Sequence, residues 1–192
     1  MVSIRIPRDT ASSVGRATHD VALGALLGAN LFGRIAMNPA LEDVSDKSER
    51  GRVLNRAWRR YGTVNSLALA ALVSGWLPAR LGEAAPRWLS ERERRLAIAK
   101  DVAMAAVVVT GLASAAGGVG FASQAPSGAV PMASGHDPAP ETPARAARLK
   151  RVVNVLGALN LAAELALVGI NASLAQANFR RPPARRLLRR RY

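Results

Sequence analysis

Chemistry in this chain would have to come from a few polar side chains set in stretches that are otherwise apolar. Gly157, Asn160, Glu164, Asn171 and Asn178 recur at steps of three, four and seven residues, which return to nearly the same angle on a helix and draw one polar seam. Asn30, Arg34 and Asn38, four residues apart, draw a second. Charged and amide side chains at membrane depth are costly unless paired, so both seams are expected to face a bundle interior. If the first and last apolar stretches run antiparallel, Asn30 and Glu164 fall near mid-bilayer. Arg34 and Asn160 then lie one turn, roughly 5–6 Å, further toward the outer surface. Asn30, Arg34, Asn160 and Glu164 thus form the candidate intramembrane site, with an expected Arg34–Glu164 ion pair. Such a group can bind a ligand, carry a proton or hold helices together.

A second cluster, His19, Asp20, Asp101 and Asn171, is expected near the cytoplasmic ends of the spans, where it either meets solvent or exchanges protons. Lys100, next to Asp101, is expected to reach water along its aliphatic stem. The chain holds 2 histidines and 0 cysteines. Disulfides, thiolate metal sites and cysteine nucleophiles are thereby excluded. His136 falls in a loop, so paired histidine ligation of haem and a multi-histidine metal site are not expected either. Gly117-Gly118-Val119-Gly120 follows a helix instead of preceding one and lacks the context that cradles a phosphate. Ser66, Ser74, Thr110 and Ser114 assemble no triad. No cofactor and no metal is expected, and no catalytic residue can be assigned.

The elements that must position these groups are four charge-poor stretches, 21–37, 64–81, 97–121 and 152–177, separated by segments rich in arginine. A bilayer core about 30 Å thick needs roughly 20 apolar residues per helix. The fold expected is all-α, a four-helix transmembrane bundle with one interfacial amphipathic helix between spans 1 and 2. That helix is read from 46–61, where Val53, Leu54, Ala57, Trp58 and Tyr61 oppose Arg50, Arg52, Arg56, Arg59 and Arg60. Pro39 is expected to end the first span, since its ring disfavours helix at Asn38. Asp46 to Glu49 and Ser90 to Glu93 read as capping boxes, and Thr142-Pro143 as a helix start. Gly24 and Gly28 would permit close helix approach, and the third span should fray around Gly117, Gly118 and Gly120. Residues 1–178 make one four-span domain with a flexible loop at 122–141, rich in Pro, Gly and Ser and short of bulky apolar surface. A basic tail follows at 179–192.

With 27 basic residues against 13 acidic, the net charge is +14. Nucleic acid is not the expected partner, because basic residues flanking apolar spans serve as topology signals and headgroup anchors. The partners expected are a lipid bilayer with anionic headgroups and either a second copy of the chain or another membrane protein. The larger share of Lys and Arg falls on the side that holds both termini. By the positive-inside rule the protein is integral to the membrane, taken as a bacterial cell membrane, with both termini cytoplasmic.

The run Gly24–Leu41, containing "GANLFGRIAMNPAL", followed by a charged segment and a second span, resembles the first half of small four-helix membrane proteins of the anthrone-oxygenase-like and related families. That resemblance covers about the first third of the chain. It implies a cofactor-independent oxygenase or a membrane subunit, and carries over no catalytic residue. Three classes follow: a structural, accessory or partner-binding bundle without catalysis; an enzyme acting on a lipophilic substrate, with Glu164 and Arg34 as polar handles; and an oligomeric transporter or channel element.

Overall fold

Each apolar stretch grows into a helix longer than itself, because the polar residues beside it carry start signals. The computed structural model describes residues 8–82, 84, 85 and 89–179. Its helices are α1 (Arg8–Phe32), α2 (Lys47–Leu81), α3 (Glu91–Ala122) and α4 (Ala144–Phe179). At the head of α2 the Asp46 carboxylate accepts the Glu49 N–H at 2.7 Å. At the head of α3 Ser90 and Glu93 cap one another reciprocally. All four helices are long and apolar enough to cross a membrane. The fold is all-α, a four-helix transmembrane bundle.

α1 lies along α2 and α3 along α4, and contacts of α1 with α4 and of α2 with α3 close the bundle. One core, around Leu23, Leu26, Leu69, Leu72, Val107 and Leu167, fills the membrane-level interior. A second, around Leu41, Leu54, Phe121, Val130, Met132 and Ala146, sits at the end opposite the termini. The tightest helix approach is between Gly15 of α1 and Gly75 of α2, where a Cβ on either would lie 2.5 Å from the other's carbonyl oxygen. Gly24 and Gly28, expected at a close crossing, have nothing within 4 Å of where a Cβ would sit.

Several expected boundaries move, each for a local reason. The first span does not end before Pro39. Its backbone widens into a π-helical turn, Gly33–Met37, in which Asn38 N–H reaches back to the Gly33 carbonyl, and helical backbone continues through Asn38–Ala40. The wider turn makes room for the proline ring. The amphipathic segment is no separate helix but the first turns of α2, which runs unbroken for 35 residues. α3 does not fray at its glycines; a Cβ on Gly117 would come within 2.8 Å of the Val153 side chain, so that glycine admits α4. Thr142 gives its hydroxyl to the Pro131 carbonyl at 2.5 Å and not to the head of α4, which begins at Ala144.

The largest correction concerns 122–141. Expected to be flexible for want of bulky surface, it folds over the bundle end and puts Val130 (1% exposed) and Met132 (0%) into the second core. Its backbone is fastened as well. Met132 N–H donates to the Lys47 carbonyl at 3.0 Å, Gly135 N–H to the Asn38 carbonyl at 3.0 Å, and Asn55 Nδ2 to the Gly128 carbonyl at 2.8 Å. Arg50 donates to the Val44, Glu42 and Ala133 carbonyls. Gly128 adopts φ +72°, which an L side chain resists, and the Asn55 side chain lies against it. The basic tail from residue 180 on lies outside the described residues.

Candidate functional site

The polar seams of α1 and α4 meet as their periodicity requires. Asn30 Nδ2 lies 2.8 and 3.0 Å from the two Glu164 carboxylate oxygens and 2.9 Å from Asn160 Oδ1. Asn160 Nδ2 in turn donates to the Val107 carbonyl at 2.8 Å and to Thr110 Oγ1 at 2.9 Å. Glu164 is 0% exposed. Three helices, α1, α3 and α4, are therefore tied at one level by a knot whose members are amides, a hydroxyl and one carboxyl group. Thr110 is the member that sequence reasoning missed. Its place on the inward face of α3 is a period signal, but a lone threonine carries none of its own.

Arg34 does not join this knot. The expected Arg34–Glu164 ion pair is not made: Arg34 donates one guanidinium nitrogen to the Asn154 carbonyl at 2.8 Å, lying over Gly157. The π turn that begins at Gly33 is the physical reason, since it alters the angle of every side chain after it relative to an α-helical continuation from Asn30. The same turn has a second effect. In the i→i−5 pattern the Arg34 carbonyl would receive the N–H of residue 39, and Pro39 has none. His136, from the folded-over loop, lies 3.2 Å away through Nε2, which must be the donor because a carbonyl only accepts. Its Nδ1 then faces the Asn38 amide nitrogen at 3.5 Å, and its own carbonyl accepts from Asn154 Nδ2 at 2.8 Å.

At the termini end the second expected cluster is partly assembled. Asn171 Nδ2 donates to Asp20 at 2.9 Å. Asp101 accepts the Trp76 indole N–H at 2.8 Å on one oxygen and Arg80 Nε at 2.8 Å on the other. His19, fully buried, donates Nδ1–H to the Leu72 carbonyl at 2.7 Å, while its Nε2 has no hydrogen-bond partner. Lys100, expected to reach water, is only 4% exposed and lies with its ammonium 3.9 Å from the centre of a Trp76 ring. Lys100 is the residue that sequence reasoning misplaced, and Trp76 the one it did not single out. The cation–π contact joins different helices, and no spacing within either reveals it.

A concavity of about 510 Å³ is a groove between α1 and α2, on a different side of α1 from the Glu164 knot. Gly24, Gly28, Phe32, Gly33, Trp58 and Tyr61 contribute to its walls. Tyr61 spends its hydroxyl on the Ala25 carbonyl at 2.9 Å, so the groove offers almost nothing polar to an occupant. Among the described residues no group of histidines and carboxylates is disposed to hold a metal ion. Between the head of α2 and the 122–141 segment, Lys47 and Glu141 form a 3.0 Å ion pair. Hydrogen bonds from a backbone N–H and from Lys47 hold the Glu141 carboxyl below the usual carboxylate range. Set against known proteins, the chain matches no family model, no curated protein and no solved structure, and what the findings carry is a largely apolar four-helix bundle of the kind small membrane proteins form.

Proposed function

We propose that the protein is a structural, accessory or partner-binding bundle of the membrane, without catalysis of its own. The observation that carries this reading is the enclosure of Glu164, which is fully buried, shares its carboxyl oxygens with Asn30 and does not line the α1–α2 groove. A carboxyl group with that surrounding serves interhelical packing, where polar contacts hold helices that lipid does not drive together. Replacing Glu164 by Gln and by Leu tests it. Loss of folded protein in the Leu variant, with the Gln variant folded and its cellular role intact, supports the structural reading. A Gln variant that accumulates normally but has lost the cellular role would overturn it.

A second reading, an oxygenase or related oxidoreductase acting on a lipophilic substrate, draws on the α1–α2 groove and on the first-span resemblance to anthrone oxygenases. The groove has the volume and apolar lining of a small-molecule site but no acid or base at its floor. With either reading we place both termini in the cytoplasm. Because the native chain has no cysteine, single reporters such as Ala144→Cys, labelled in intact cells by an impermeant maleimide, test that placement directly.

A further inference from the structure

Lys150 is 5% exposed and, among the described residues, makes no ion pair and no hydrogen bond; its ammonium lies 6.0 Å from the centre of the Phe121 ring. It shares a face of α4 with Asn154 and Gly157, at spacings of four and seven, and this is the face on which Arg34 rests. Arg34 and Asp137 are the charged groups near enough to act on it. Asp137 is the stronger of the two and favours the charged ammonium, but it lies beyond ion-pair distance, its carboxylate accepting from Ser134 Oγ at 3.1 Å. The other nearby acid of the seam, Glu164, is bonded to Asn30. Two like charges, one of them almost wholly buried, thus share one acid that forms an ion pair with neither, an arrangement that a further anion between them would favour.

Depth says where such an anion would come from. Gly33, next to Arg34, is packed against Trp58, whose ring lies 2.6 Å from where a Gly33 Cβ would be. Trp58 and Tyr61 meet edge to face, the pairing of an interfacial aromatic belt. From Tyr61 to the end of α2 at Leu81 is about 30 Å, one hydrocarbon thickness. Taking Trp58 and Tyr61 as the hydrocarbon edge sets Arg34 and Lys150 at the height of lipid phosphates. Arg148 and Arg151, both exposed, flank them on α4.

The geometry points to a phosphate-binding site at the loop-capped end of the α1–α4 seam, in which Arg34 and Lys150 hold the phosphate group of an anionic lipid. Arg34 has used one nitrogen on Asn154 and keeps donors for a phosphate oxygen; Lys150 supplies a point charge with all three donors unspent. This goes beyond the structural reading of Glu164 and does not depend on it.

The test uses the full chain in a mild neutral detergent, with phosphatidylglycerol, phosphatidylcholine and inorganic phosphate as probes. Native mass spectrometry counts retained lipid, and thermal unfolding gives the shift on addition. Phosphatidylglycerol is expected to be retained and to raise the unfolding midpoint, with phosphatidylcholine doing neither. Arg34→Gln and Lys150→Met should each weaken retention about fivefold, and Arg92→Gln, an equal loss of charge at the other end, should not. Should Lys150→Met fail to fold, Lys150→Arg, expected to retain the lipid, paired with Arg34→Gln, expected to lose it, decides the same point. Protection by inorganic phosphate alone, lost in the same variants, supports the site and assigns its source to free phosphate. Protection by neither phosphate source, equal retention of the two lipids, or an undiminished phosphatidylglycerol preference in Arg34→Gln overturns it.

Discussion

Asn30 is the residue on which the membrane-level polar contacts turn, since its single amide nitrogen serves Glu164 and Asn160 together. In lipid the favourable increment of such a contact is modest, typically ~0.6 and up to ~1.7 kcal/mol, because the separated helices find other partners. A double-mutant cycle on Asn30→Ala and Glu164→Ala, followed by denaturant titration in micelles, is expected to give a coupling of about 1 kcal/mol. A coupling near zero would mean that the contact does not tie α1 to α4. Residue types and period made Asn30, Asn160 and Glu164 legible in the sequence. Arg34 was legible as a member of the same face but not in its partner, because a carbonyl acceptor such as that of Asn154 has no sequence signature.

At the scale of the elements, glycine positions separate into two kinds. Gly75 and Gly51 stand where backbone meets backbone: a Cβ on Gly75 would press on Gly15 and His19, and one on Gly51 would collide with the Val130 carbonyl. Gly24 and Gly28 face open space. Gly75→Ala and Gly51→Ala are expected to lower stability by about 1–3 kcal/mol, as overpacking does. Gly24→Ala and Gly28→Ala should be neutral, or gain up to ~1 kcal/mol through helix propensity. Unfolding midpoints of the four variants check this. The π turn supplies a sharper case. Removing the donor with His136→Phe is expected to cost about 1 kcal/mol while Pro39 is present, since the Arg34 carbonyl is then orphaned. In a Pro39→Ala background, where residue 39 supplies its own N–H, the same substitution should cost measurably less. Equal costs in both backgrounds would show that His136 does not serve that carbonyl.

The whole molecule turns much of its apolar surface outward. Val21, Leu67, Val109 and Val155 are all at least 60% exposed, although the membrane-level core is well filled. In water a surface of that kind drives aggregation; in hydrocarbon it is the correct exterior. The purified chain is therefore expected to be monodisperse in detergent or lipid and to aggregate when these are removed, as read by size-exclusion chromatography. A monodisperse chain in plain buffer would remove the membrane reading. The same scale explains how the 122–141 segment is held. It closes the bundle end through a second core and through backbone bonds to Lys47 and Asn38, so the end of the bundle away from the termini carries a lid built from the chain itself.

What the sequence determined by itself was set by near-neighbour physics: four helices, two of their caps, their membrane-spanning length and the faces on which polar residues gather. Caps act within one turn and amphipathic faces repeat every few residues, so both can be read along the chain. Only the tertiary structure decided which polar groups meet. A single π turn parted Arg34 from Glu164, contacts between helices placed Lys100 on Trp76, and an aperiodic segment found burial for Val130 and Met132. Those outcomes depend on the angle and height at which one helix meets another, and no spacing within a single helix records either.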